Sequence, residues 1–220
     1  MTAPIRALSF DAAGTLVVPH PGVGAVYAEV ARDWGLERDA AELDAAFGPA
    51  LARVRASWRV PYGADEDDAR RFWAEVVEAT FGEALPYEVV CELYDTFATA
   101  RRWRILPGAS EALALATRLG LPAVVVSNFD CRLGPLLCEL GLGPFAAVVT
   151  STMVGTAKPH PAALLLACER LALPPTAVLH LGDSAREDGE MARAAGASYL
   201  ACSAQEGIPL GELAARLAAV

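Results

Sequence analysis

One lysine, three histidines and not a single CxxC pair among five cysteines leave this chain of 220 residues short of the side chains from which many protein sites are built. His20, His160 and His180 fall into no metal-ligand spacing with Cys91, Cys131, Cys138, Cys168 or Cys202, which excludes a zinc-type cluster and leaves packed free thiols as the expectation. Positive charge is scarce as well. With 18 Lys and Arg against 27 Asp and Glu the net charge is -9, so the chain as a whole has no attraction for a phosphate backbone or an anionic lipid surface. Nucleic acid and membrane are thereby set aside as partners. No run reaches the ~18 apolar residues of a membrane span. The opening MTAPIRALSF leads into a strand-like segment without the parts of a signal peptide, so a cytoplasmic protein is expected.

What is present is apolar and patterned: 54% of the residues are hydrophobic and 20% charged, a globular composition. A short apolar run from Ile5 to Phe10 ends at Asp11, and Gly14-Thr15 signals a turn, which predicts a buried strand with Asp11 just past its end. From about Val23 to Ala100 the apolar residues recur at helical spacing: Val23, Val26, Tyr27, Val30 and Trp34, then Leu43, Phe47, Leu51 and Val54. Further helices are expected over Asp67 to Phe81 and Tyr87 to Ala100. After Pro107-Gly108 strands and helices alternate, with strands at Ala123–Val126, Ala146–Val149, Ala177–Leu181 and Ser198–Ala201. Helices are expected between them over Ser110 to Leu119, Arg132 to Leu140, Pro161 to Leu171 and Arg186 to Ala195. Such alternation predicts an α/β protein with a doubly wound parallel sheet covered on both faces, and an all-helical insertion after its first strand.

Ligands of open parallel sheets gather at the carboxyl ends of the strands, and there this sequence carries its reactive groups. They are Asp11 in FDAAGTL, Ser127 and Asn128 in VVVSNFD, Lys158 in AKPHP, and Asp183 and Asp188 in LGDSARED. A rigidly held carboxylate serves as a nucleophile. A hydroxyl and nearby N–H groups hold an anion, and a lysine neutralises the shared charge. Aspartates at a strand end and in the next helix turn suit magnesium. Taken singly, each has an ordinary explanation as a turn aspartate, a helix cap or a residue favoured by the helix dipole. Their order and shared position argue for a site.

The ordered set DxxGT, SN, KP and GDSxxxD resembles the haloacid-dehalogenase-like superfamily over essentially the whole chain, and GVGAVYAEVARDWGL, RFWAEVVEATFG, LYDTFATARRW and VVSNFDCRL resemble its group named after rhythmically expressed gene two. The resemblance implies a core of residues 1–18 and 101–220 and a helical cap of residues 19–100. It implies Asp11 as nucleophile and metal ligand, Lys158 as catalytic partner, and Ser127 and Asn128, with Gly14 and Thr15, around the substrate. For Mg2+ it implies Asp11, the Ala13 carbonyl, Asp183 and Asp188. One position departs: where the superfamily's phosphatases carry a second aspartate as acid and base, this chain has Ala13.

Three readings follow. The first is magnesium-dependent hydrolysis of a phosphorylated small molecule through an aspartyl-phosphate, with weak or leaving-group-dependent activity. The second is 2-haloacid dehalogenase chemistry, and the third a catalytically weak metabolite-binding protein of the same fold. Phosphonoacetaldehyde hydrolases resemble the chain at the alanine but use a cap lysine, and the lone lysine here is Lys158. The amphipathic helices leave a homodimer open. Among other residues, Tyr62 in PYGADED is a specificity candidate, Asp130 is expected to orient Arg132 or the cap, and one or two cap arginines to reach over the pocket. His160 is expected to start a helix, and His180 and the four tryptophans to sit in the core.

Overall fold

Strand β1 (Ala7–Phe10) is buried along its whole length, which demands cover on both of its faces. In a computed structural model, which describes residues 4–218, it forms the centre of a five-stranded parallel sheet. The chain then makes β2 (Val17–Pro19) and four helices, α1 (Val23–Asp33), α2 (Ala40–Ser57), α3 (Glu66–Phe81) and α4 (Tyr87–Thr96). It returns through β3 (Trp103–Ile105), which pairs antiparallel with β2. The rest alternates: α5 (Ala109–Arg118), β4 (Ala123–Ser127), α6 (Leu133–Glu139), β5 (Ala147–Thr150), α7 (Ser151–Val154), α8 (Ala162–Leu171), β6 (Val178–Gly182), α9 (Glu190–Ala195), β7 (Ser198–Ala201) and α10 (Leu210–Ala218).

The sheet order is β5-β4-β1-β6-β7, so the chain builds outward from β1 through β4 and β5 on one side and then crosses to β6 and β7 on the other. That reversal opens a crevice above the ends of β1, β4 and β6. Alternate side chains feed two separate layers. Leu8, Phe10, Val125, Leu179 and Leu181 pack with Leu113 and Leu136, while Ala7, Val124, Val126 and Val178 pack with Leu164 and Met191. Two polar residues interrupt the second layer. Ser9 and His180 lie opposite each other in the β1–β6 register, fully buried, with Ser9 Oγ 2.9 Å from His180 Nδ1.

Local chemistry sets the ends of the inserted helices. Asp39 caps α2 by accepting from the Glu42 N–H, and Asp65 caps α3 by accepting from the Asp68 N–H. Three acidic residues in the first turn of α3 complement its dipole, and Gly82 ends it in the left-handed conformation. The inserted helices hold themselves together through Tyr27, Leu43, Val77 and Leu93, and through Val54, Tyr62, Phe72 and Val76.

The β2–β3 ribbon departs from the sequence reading, because strands of three residues carry no usable periodicity. The helix expected to reach Ala100 stops at Thr96 and yields to a 3-10 turn over Ala100–Arg102. The one expected from Arg186 opens as a π turn over Ala185–Gly189 before α9 begins. Trp34 is exposed rather than in the core, with its indole N–H donating to Glu92, and Cys131 and Cys138 are exposed thiols rather than packed ones.

Candidate active site

Asp11 follows β1 directly and is held almost out of solvent, 4% exposed, by its N–H donating to Leu181 O and by side chains from the end of β4 and from the loop between α7 and α8. Ser127, the last residue of β4, donates to Asp11 Oδ1 at 2.9 Å, and Lys158 Nζ reaches the same oxygen at 2.5 Å. Lys158 Nζ also lies 2.6 Å from Asp188 Oδ1. Behind Asp188, the His180 Nε2–H points to Oδ1 at 3.1 Å and the Ser184 N–H to Oδ2 at 3.1 Å. Burial lowers the His180 pKa, so the ring is neutral. With Nε2 donating to a carboxylate, Nδ1 accepts from Ser9. His180 is thus a core histidine, as expected, and also a support for the site.

Carboxylates from Asp11, Asp183 and Asp188 bring one oxygen each within 4.8 Å of one another. Burial and the neighbouring Asp188 outweigh Lys158 and push Asp11 up to about 7. Asp183 is also raised, by loss of water around its carboxyl and by Asp188. Burial works against ionised Asp188 too, but Lys158 and His180 prevail and hold it well below the usual carboxylate range. Lys158 is cationic: burial would drive it down, and its two carboxylate partners more than offset this. Three carboxylates against one ammonium leave an excess of negative charge. Together with the all-oxygen donor set, this fits a hard divalent cation.

Glycine is required twice. At Gly14, with φ +97°, an added Cβ would lie 2.5 Å from Asp183 Oδ2, so the DxxGT loop passes the Asp183 carboxylate closely only without a side chain. At Gly182 a Cβ would fall 2.2 Å from Asp188 Cγ.

Each residue expected at the site has a definite place. Asn128 braces its neighbour: its Oδ1 accepts from the Lys158 N–H at 2.7 Å, and its Nδ2 donates to Glu187 at 2.8 Å. Ala13 is exposed at the mouth and, with Gly14 and Asn128, borders a cavity of about 290 Å³ beneath the inserted helices. Thr15 lies beneath the loop, fully buried, its hydroxyl without a partner among the described residues and away from that cavity. His160 starts a helix, as its ring nitrogen accepts from the Ala162 N–H at 3.3 Å.

Sequence reasoning missed Glu187 and Trp73. Glu187 joins Asn128 to Arg55 of α2, whose Nη1 lies 2.8 Å away. It adjoins Asp188 in an acidic pair, the one signal that marked it. Trp73 of α3 donates its indole N–H to the fully buried Asp130 at 2.7 Å, and Asp130 also binds Arg132 through both carboxylate oxygens. Asp130 therefore does orient Arg132 and secure the inserted helices, as expected, whereas no arginine of the inserted helices lines the cavity among the described residues, and Arg55 reaches the core only to pair with Glu187. Tyr62, the specificity candidate, is buried at φ 70° with its ring 5.0 Å from that of Phe72, and it lines the cavity.

A buried aspartate, a lysine and an acidic cluster thus meet at one end of a parallel α/β sheet. The model of the haloacid dehalogenase-like hydrolase family matches residues 5–196, and the chain belongs to that family. It is a hydrolase. Among its relatives, haloacid dehalogenase-like hydrolase domain-containing protein 3 of Danio rerio is 34% identical over 205 residues, 89% of this chain and 84% of that protein. The phosphoglycolate phosphatase of Pectobacterium atrosepticum is 30% identical over 194 residues, 87% of this chain and 77% of that protein. Among solved structures, the L-2-haloacid dehalogenase of Xanthobacter autotrophicus with covalently bound chloropropionic acid superposes with a TM-score of 0.71 at 22% identity, over 90% of this chain and 77% of that one. A family hydrolase of Deinococcus radiodurans with bound phosphate and sodium gives 0.64 at 23% identity, over 99% and 96%. Among the described residues no helix is long and apolar enough to cross a membrane.

Proposed function

We propose that this chain is a magnesium-dependent phosphohydrolase of the cytoplasm, which acts on a phosphorylated small molecule through an aspartyl-phosphate on Asp11 and lacks the usual acid. The observation that carries the reading is the convergence of Asp11, Ser127, Asp183 and Asp188, from the ends of β1, β4 and β6, with Lys158 from the loop between α7 and α8. Asp11, the Ala13 carbonyl, Asp183 and Asp188 would hold the ion, which supplies positive charge to the phosphoryl oxygens and to the carboxylates around it. Residues 19–100 act as a cap, supported by the Arg55–Glu187 and Trp73–Asp130 contacts to the core.

An Asp11 carboxylate oxygen attacks phosphorus, the bond to the leaving oxygen breaks, and that oxygen departs with the electron pair. Lys158 and Ser127 orient Asp11 and offset phosphoryl charge, and the backbone N–H of Asn128 would donate to a phosphoryl oxygen, whereas the Gly14 N–H is engaged by Val17 O at 2.8 Å. Water then attacks phosphorus and the bond to Asp11 breaks, returning the carboxylate and releasing phosphate. No carboxylate stands at position 13 to protonate the leaving oxygen or to activate that water.

The acidic cluster favours this reading over dehalogenation, since displacement of halide by a carboxylate needs no cation. Phosphate esters, acyl phosphates and 2-haloacids, each assayed with and without Mg2+, separate the cases. Metal-dependent phosphate release is the expected result. Halide release without metal would establish dehalogenation instead, and binding without turnover a catalytically weak relative.

A further inference from the structure

A cavity adjoins the loops that carry the reactive groups. It begins at Ala13, Gly14 and Asn128, on the loops that carry the reactive groups, and extends under the inserted helices to an aromatic and aliphatic wall that includes Phe47, Leu51, Trp73, Val77 and Trp103. Among the described residues the one cation on that wall is Arg132, and its charge is already engaged. Its Nε and Nη2 bind the two oxygens of Asp130 at 2.9 and 2.7 Å, its Nη1 donates to Tyr94 O at 2.8 Å, and its plane lies 3.7 Å from the centre of the Tyr94 ring. The indole N–H groups are engaged too, Trp73 with Asp130 and Trp103 with Phe97 O. A second carboxylate or phosphate on the substrate would enter this space without a counter-charge, at a desolvation cost that an uncharged body does not incur. Aromatic walls reward a flat ring. The volume, about 290 Å³, is roughly twice the ~150 Å³ cavity that takes one benzene.

We propose that the group carried by the phosphoryl is an uncharged, apolar body of one or two rings, seated between the Ala13 loop and the inserted helices. The assignment rests on the phosphohydrolase reading for its reaction and on the cavity alone for its ligand. It sets the chain apart from relatives named for phosphoglycolate, whose second charge is a carboxylate.

Benzyl and ethyl phosphate have leaving groups of similar, weak acidity and differ in the ring, so comparing them isolates the body from the chemistry. With the wild-type protein and Mg2+, benzyl phosphate is expected to show a kcat/KM about tenfold or more above that of ethyl phosphate, and above that of phosphoglycolate. Benzyl alcohol should quench the fluorescence of the wall tryptophans where ethanol does not. Val77→Asp, which sets a carboxylate in the wall, should lower the ratio of benzyl to ethyl kcat/KM by about tenfold, and Leu51→Asn gives the same reading if that variant fails to fold. Esters cleaved without preference for the ring, or phosphoglycolate cleaved best, would overturn the assignment while leaving the phosphohydrolase intact. Saturable quenching by benzyl alcohol that Val77→Asp or Leu51→Asn abolishes, with no ester cleaved at all, would uphold the cavity and remove the reaction.

Discussion

Ala13 and Lys158 are the residues on which the proposed chemistry turns. Without an acid at position 13, the rate is expected to depend steeply on the stability of the leaving anion. Ala13→Asp should raise the hydrolysis of alkyl phosphates by up to the ~10²–10⁴ that general acid–base help supplies, and should scarcely change acyl phosphates, whose leaving group needs no proton. Paired rate measurements on one ester of each class decide it. Wild-type protein that cleaves alkyl and aryl phosphates equally fast would show that the proton comes from elsewhere. Lys158 is the one cation between two buried carboxylates, and its cluster makes a second prediction. Because Asp11 is raised to about 7, its ionisation costs the metal-free fold stability as pH climbs from the ordinary carboxylate range through 7. A bound cation removes that cost. The rise in Tm produced by Mg2+ should therefore be larger at pH 8 than at pH 6, and binding at pH 6 should release protons, seen as a heat that varies with the ionisation enthalpy of the buffer. A Tm shift independent of pH would mean that Asp11 is not a ligand.

At the scale of elements, two contacts decide whether loops and helices meet correctly. Gly14→Ala adds a methyl group 2.5 Å from Asp183 Oδ2 at a left-handed backbone position. Loss of Mg2+ binding and activity is expected, with far-UV circular dichroism unchanged because the strain is confined to the loop. Retained metal affinity would show that the loop yields easily. Trp73→Phe removes the α3 hydrogen bond to Asp130 but leaves Arg132 paired. A hydrogen bond to a charged group contributes ~1.5–3 kcal/mol, and the remaining Arg132 bonds place the loss near the lower end. At about 2–4 °C per kcal/mol for a chain of this size, Tm should fall by several degrees, with faster amide exchange in α3 than in β1. Uniform exchange across both elements would place the loss in the global fold instead.

For the molecule as a whole, the sequence determined which strands would be buried and where the reactive residues would fall. Runs such as Ala7–Phe10 and Val178–Gly182 are apolar, short and closed by Asp11 or Gly182-Asp183, and parallel strands place their ends together. That is why Asp11, Ser127, Lys158, Asp183 and Asp188 were legible before any coordinates. Local signals also placed α1 to α4, since caps and 3.6-residue periodicity are properties of neighbouring residues. Only the tertiary structure decided what those helices cover. The Trp73–Asp130 and Arg55–Glu187 contacts join residues 57 and 132 positions apart, and no local pattern encodes such a pairing. The burial of Tyr62 and the exposure of Trp34 are decided in the same way, by which surfaces meet after the chain has folded. Sequence thus fixes which polar residues meet at the strand ends, because their positions follow from strand order. The shape and charge of the space beside them arise from long-range packing between segments far apart in the chain.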